Sequence, residues 1–125
     1  MSRRTVFDIH VFIYIYSSVY RRNIKRRFFL TGLIQDHHII PREFRYKIDY
    51  ENTKIISHID HSNNLLMMPT RLGKQFINTN RTIHENGHNK YNKYINKLLM
   101  NNYTPDYIIP FVKQQLRKGN VEFLI

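Results

Sequence analysis

The chain has 125 residues, 42% of them hydrophobic, no cysteine, and a formal net charge of +11 from 20 Lys+Arg against 9 Asp+Glu. That length suits one hydrophobic core rather than two, and the composition excludes a disordered polymer, a disulfide scaffold, thiolate catalysis and sulfur-ligated zinc. The charge excess favours a polyanionic partner, with nucleic acid ahead of an anionic membrane because no basic amphipathic helix stands out.

In chain order, Val6 to Tyr16 carries Ile9, Val11, Ile13 and Ile15 at period two, which favours a strand over a buried helix, with His10 as a structural residue. Arg3 and Arg4 precede this stretch as they would a secretory leader, but Asp8 and His10 interrupt it. No small-residue cleavage site follows before Arg21-Arg22, and the run is too short and polar to cross a bilayer. The expectation is a soluble intracellular protein, in the cytoplasm or nucleus of a host cell. Abundant Asn, Ile, Lys and Tyr, whose codons are A/T-rich, hint at an A/T-rich genome such as a viral one.

The basic cluster Arg21-Arg22 and Lys25-Arg26-Arg27 reads equally as a solvated connecting face or as a phosphate-contacting patch. Phe28 to Ile34 predicts a second strand, which runs into Asp36-His37-His38-Ile39-Ile40 and stops at Pro41. A polar, irregular stretch extends from Arg42 to about Ser62. Leu65 to Met68 predicts a third strand closed by Pro69, followed by a loop that holds Gly73. From about Arg81 to Met100 the pattern turns helical, with Tyr91, Tyr94, Ile95, Leu98 and Leu99 at three- and four-residue steps. The last helix has Thr104 as cap, Pro105 as its first residue and Gly119 as its stop, while Pro110 predicts a late start or a bend.

Seven histidines are unusual in so short a chain, and their grouping says more than their number. His84 and His88 are four apart on the predicted helix, so both rings leave one face and could share a cation. Alone, such a pair is as a rule two solvated side chains. His37 and His38 are adjacent on a strand and point to opposite faces unless the strand end twists. For an isolated doublet, one core and one surface residue would suffice.

Together these pieces resemble the HNH endonuclease superfamily, and most closely its branch with a histidine doublet followed by two aliphatics and proline. The doublet is usually Ala-His-His; here it is Asp36-His37-His38-Ile39-Ile40-Pro41. The second shared element, an Asn five residues before a proline across an apolar strand, is Asn64-Leu65-Leu66-Met67-Met68-Pro69. The third is His84-Glu85-Asn86-Gly87-His88, with the aromatic Tyr91 after two more residues. The three occur in order across residues 33–99.

The resemblance implies an α+β fold: a ββα-metal core over about 33–100, with an added N-terminal strand and a C-terminal helix, in a single nuclease domain of residues 1–125. It implies hydrolysis of phosphodiester bonds at one divalent ion (Mg, Mn, Zn or Ni) held by His37, His84 and His88. All-nitrogen ligation leans toward the transition metals. His38 would be the general base, a task that suits a neutral imidazole, and Asn64 would hold the loop that bears it. DNA is the favoured substrate, with RNA nearly as compatible, no membrane is implied, and a homodimer is an assembly that small relatives often adopt.

Several assignments stay open. Asp36 stands in place of the alanine and could orient an imidazole or join the metal shell. Asn63 competes with Asn64, and only the spacing to Pro69 separates them. The long interval from His38 to Asn64 reads as an insertion. His58 and His61 within it are polar loop residues, phosphate contacts or alternative ligands with His84 and His88. Arg42 and Lys74 are candidate phosphate contacts and equally well solvated charges, and Tyr91 would pack beneath the metal helix. A non-catalytic nucleic-acid-binding protein with a structural ion, or an RNA-cleaving toxin-like nuclease, would use the same residues.

Overall fold

The structure, a computed structural model, describes residues 18–27, 30–84 and 89–119. The strand expected over Val6 to Tyr16, with His10, lies outside the described residues, as does His88. The fold is a mixture of helices and a small antiparallel sheet: α1 (Ser18–Arg27), β1 (Ile34–His38), β2 (Leu65–Pro69), α2 (Arg71–Phe76), α3 (Asn89–Met100) and α4 (Pro105–Lys118). The connection from β1 to β2 is irregular and contains short 3-10 turns at Arg42–Lys47, Tyr50–Asn52 and Ser62–Asn64.

The basic cluster is a helix rather than a connecting segment. Lys and Arg are good helix formers, and Lys25, Arg26 and Arg27 fill the last turn of α1, where cations oppose the negative end of the helix dipole. The strand expected over Phe28 to Ile34 begins only at Ile34. Ahead of it the chain turns, with Gly32 at φ +81° and the amides of Leu33 and Ile34 both donating to the Leu30 carbonyl. Gly32 permits that left-handed step without a Cβ penalty.

β1 and β2 pair antiparallel with Ile34 opposite Pro69 and His38 opposite Leu65. Side chains alternate across a strand, so the sheet has two faces. Ile34 and Met67 join Leu30 in a small cluster on one face. Leu66 and Met68 face the main core, with Ile39, Ile40, Phe44, Tyr91 and Ile95 and with Ile108, Ile109, Val112 and Leu116 of α4. Ile34, Asp36 and His38 therefore share one face, and Gln35 and His37 the other.

Gly73 does not sit in a loop. It lies in α2, where the Thr70 hydroxyl caps the helix by accepting from the Gly73 amide at 2.9 Å. A Cβ on Gly73 would collide with the Leu33 carbonyl. α3 is described from Asn89, residues 85–88 lie outside the described residues, and His84 is not helical. The amides of Thr82 and His84 are given to the carbonyls of Leu116 (2.9 Å) and Pro69 (2.7 Å), so tertiary partners take the place of helical ones at these two residues. α4 runs from Pro105 to Lys118 with Gly119 as its cap, left-handed at φ 76°, as the end signals predict. Pro110 neither delays nor ends it, because the proline is exposed and its missing donor lies on the solvent side.

α4 also carries Lys113 into the core with 6% of its surface exposed. Burial, with help from the charges of Arg117 and Arg81, pulls its ammonium down to about 8. The unfolded chain keeps that proton to about pH 10.5, so between those values the unfolded state binds more protons and stability rises with pH. Thermal melts should gain about 1–2 kcal/mol of stability between pH 7 and 9.5. Lys113→Met should be more stable at pH 7 and lack that rise. A wild-type melting temperature that is flat or falling over this range would reject the buried charge.

Candidate active site

His37, 6% exposed, sits on the core-facing side of β1. Its ring meets Tyr91 of α3 edge-on at 4.7 Å between centroids, and meets His84 in the same manner at 5.2 Å. The Tyr91 hydroxyl donates to the Ile39 carbonyl and so ties α3 to the residue just past the doublet. Burial raises the tyrosine far above its ordinary range, which keeps that donor protonated.

His84 reaches the same place from the non-helical residues 82–84. Its Nδ1 lies 2.7 Å from Oε1 of Gln35, the neighbour of His37 on the same face of β1. An amide oxygen only accepts, so Nδ1 carries the proton and the lone pair of the neutral ring is on Nε2. Such a hydrogen bond on the far nitrogen is how ligating histidines are usually oriented. A cleft of about 40 Å³, lined by His37, His84, Tyr91 and Met68 among others, has room for one water-sized group.

The donor set can be tested against a cation. With ring nitrogens about 2.0–2.1 Å from a tetrahedral ion, two imidazole centroids stand about 5 Å apart. The 5.2 Å between His37 and His84 meets that spacing. Among the described residues no three His, Asp or Glu side chains gather as a metal-binding group. His88, the third member of the expected ligand set, lies outside them.

His38 occupies the opposite face, at the last residue of β1. Its Nε2 is 2.8 Å from Oδ1 of Asp60, and the same oxygen is 3.4 Å from Nε of Arg42. The hydrogen bond to His38 is the main cause that holds the Asp60 carboxyl below its usual range, with Arg42 assisting and partial burial opposing. Asp36 shares this face and pairs with Lys25 of α1 at 3.2 Å, turned away from the side that His37 occupies. Arg22, Lys25, Thr31 and Asp36 line a groove of about 320 Å³ there.

Asn64 is fully buried and joins two segments. Its Oδ1 accepts from the Ile40 amide at 2.8 Å, and its Nδ2 donates to the carbonyls of Ile40 (3.0 Å) and Ile59 (2.8 Å). Asn63 instead donates to the Ile55 carbonyl from a half-buried position. His58 and His61 serve their own loop, as Nδ1 accepts from the amides of Asp60 and Asn63 respectively. The His61 imidazole is held below its ordinary range by burial, then by His58 and Lys113. Lys74 gives its ammonium to the carbonyls of Thr79 and Arg81, at 2.8 and 2.9 Å.

The structure thus unites His37 with His84 and ties the segment after the doublet to Asn64. Sequence reasoning missed Gln35 and Asp60. Gln35 was accessible in principle, since period two puts it on the face of His37. Asp60 lies 22 residues from His38 through an irregular loop, and no spacing rule connects them.

A histidine doublet at a strand end, with an asparagine and a further histidine folded onto that strand, is the arrangement expected of a nuclease of the HNH/ENDO VII superfamily, and the family model bears the class out. The chain belongs to the AHH family of that superfamily, a nuclease family with conserved AHH, whose model matches residues 23–104. Its substrate class is therefore nucleic acid, and nucleases of this superfamily generally use a divalent metal. The match takes in both strands and α3 and ends just before α4. No curated protein and no solved structure matches the chain. Among the described residues, no helix is long and apolar enough to cross a membrane.

Proposed function

We propose that the protein is a metal-dependent endonuclease that hydrolyses DNA phosphodiesters, with β1, β2 and α3 as a ββα-metal core in a single domain of residues 1–125. His37, His84 and His88 would hold one divalent ion, and His38 would serve as general base. The observation that carries this reading is the approach of His37 and His84 to 5.2 Å, with Gln35 fixing the His84 tautomer.

A divalent cation bound there would neutralise the negative charge that builds on the phosphate in the transition state. Neutral imidazoles suit this role because they leave the cation its full charge. His38 takes a proton from the attacking water, and imidazole is the side chain whose ordinary titration range fits that work near neutral pH. Asn64 fixes the strand end by holding both backbone groups of Ile40. Arg22 and Lys25 along the groove on the His38 face, with Arg42 beside it, supply positive charge for the phosphate backbone, which predicts salt-sensitive binding. Lys74 would contribute through field alone, since its ammonium is held by carbonyls. A homodimer would bring two such centres to the two strands of a duplex.

The test is supercoiled plasmid, and in parallel a structured RNA, incubated with EDTA or with Mg, Mn, Zn or Ni. Nicking of plasmid with at least one ion and none in EDTA is expected. Binding without cleavage at every ion would reject catalysis, and cleavage of RNA alone would reject the choice of DNA.

A further inference from the structure

We infer that Asp60 is the positioning residue of His38, fixing the ring so that Nδ1 rather than Nε2 meets the attacking water; this rests on the reading of His38 as the base. Asp60 Oδ1 is 2.8 Å from His38 Nε2. The carboxylate is ionised at neutral pH, held so first by the His38 hydrogen bond and further by Arg42. An ionised carboxylate can only accept, so the shared proton resides on Nε2 and the lone pair on Nδ1. When Nδ1 takes a proton from water, the ring becomes a cation whose second N–H still points at the carboxylate. Asp60 thus orients the neutral ring and stabilises the charged one, without accepting a proton itself.

The placement is built into the fold. Asp60 follows Ile59, which is buried and whose carbonyl receives Nδ2 of Asn64. The same Asn64 holds the amide and carbonyl of Ile40, two residues past His38. One side chain therefore sets the distance between the segment that carries the base and the segment that carries the carboxylate. The Asp60 amide is also occupied, donating to His58 Nδ1 at 3.2 Å, and Arg42 braces the carboxylate from the solvent side. A plain surface ion pair would need none of this scaffolding. Asp60 is 49% exposed, and a pair so placed contributes little to stability, so a purely structural role predicts almost no effect from its loss.

Two measurements test the inference on the full chain loaded with Mg or Zn, both diamagnetic. In ¹⁵N-histidine NMR at neutral pH, the His38 signals, identified by their disappearance in His38→Gln, should show Nε2 protonated and Nδ1 bare. The opposite tautomer in the wild type overturns the inference whatever any variant does. In plasmid nicking, Asp60→Ala should lower kcat by about 10–100-fold, with KM and melting temperature nearly unchanged, and Asp60→Glu should recover part of the loss. Wild-type kcat in a folded Asp60→Ala, where His38→Ala is inactive, overturns the role of Asp60 alone. Full activity in His38→Ala overturns the base reading beneath it.

Discussion

If His38 is the general base proposed above, replacing it by alanine should lower plasmid nicking by about 10²–10⁴-fold, the range that a positioned acid or base contributes, while the protein stays folded and its affinity for the activating ion is unchanged. The size follows from what the substitution removes. Hydroxide is scarce at neutral pH, and without a base the water must attack unassisted. The selectivity follows from where His38 sits. It is on the face of β1 opposite His37, so the His37–His84 pair is untouched. Its side chain is partly exposed and bonds Asp60, which keeps Arg42 as a partner after the change. Nicking rates at saturating ion, beside a thermal melt and a metal-binding titration, separate these effects. Cleavage within threefold of wild type would mean that another group takes the proton. A lost ion with the fold intact would mean that His38 is a ligand.

Asn64→Ala should be strongly destabilising. Asn64 is 0% exposed and its amide makes three hydrogen bonds, to Ile40 N, Ile40 O and Ile59 O. Alanine leaves three buried backbone groups without those partners, at about 1–3 kcal/mol for each group not rescued by water. A total near 3–5 kcal/mol is expected, which lowers the melting temperature of a domain this size by about 10–20 °C. Asn64→Asp should fare little better, because it keeps the acceptor for Ile40 N but turns a carboxylate oxygen on two carbonyls. The control is Asn63→Ala, which gives up a half-buried bond to Ile55 O and should cost about 1 kcal/mol. If Asn63→Ala melted lower than Asn64→Ala, the asparagine that clamps the site would be misassigned.

The parts of the fold that the sequence announces are those set by local chemistry. β2 is an unbroken apolar run closed by Pro69, and all five of its residues are buried. α4 is bracketed by Thr104-Pro105 and Gly119, and tertiary structure leaves both ends where local signals put them. α1 was hidden because its last turn is all cationic, although Ile24 of the helix is buried. Residues 81–84 mislead for a different reason. His84 and His88 have helical spacing, but the amides of Thr82 and His84 are claimed by Leu116 and Pro69, partners that no local pattern reveals. The same holds for the site. The doublet and Asn64 stand out by type and spacing, whereas Gln35 on His84 and Asp60 on His38 exist only after distant segments meet.

The stretch shared with other AHH nucleases stops at Thr104, yet Ile108, Ile109, Val112 and Leu116 of α4 form a wall of the main core. The Leu116 carbonyl also grips the strip of chain leading to His84. The recognisable nuclease motif is therefore not a portable cassette in this protein. Grafted elsewhere without its last helix, it would bring every imidazole of the proposed site but lack the buttress that presses His84 against β1.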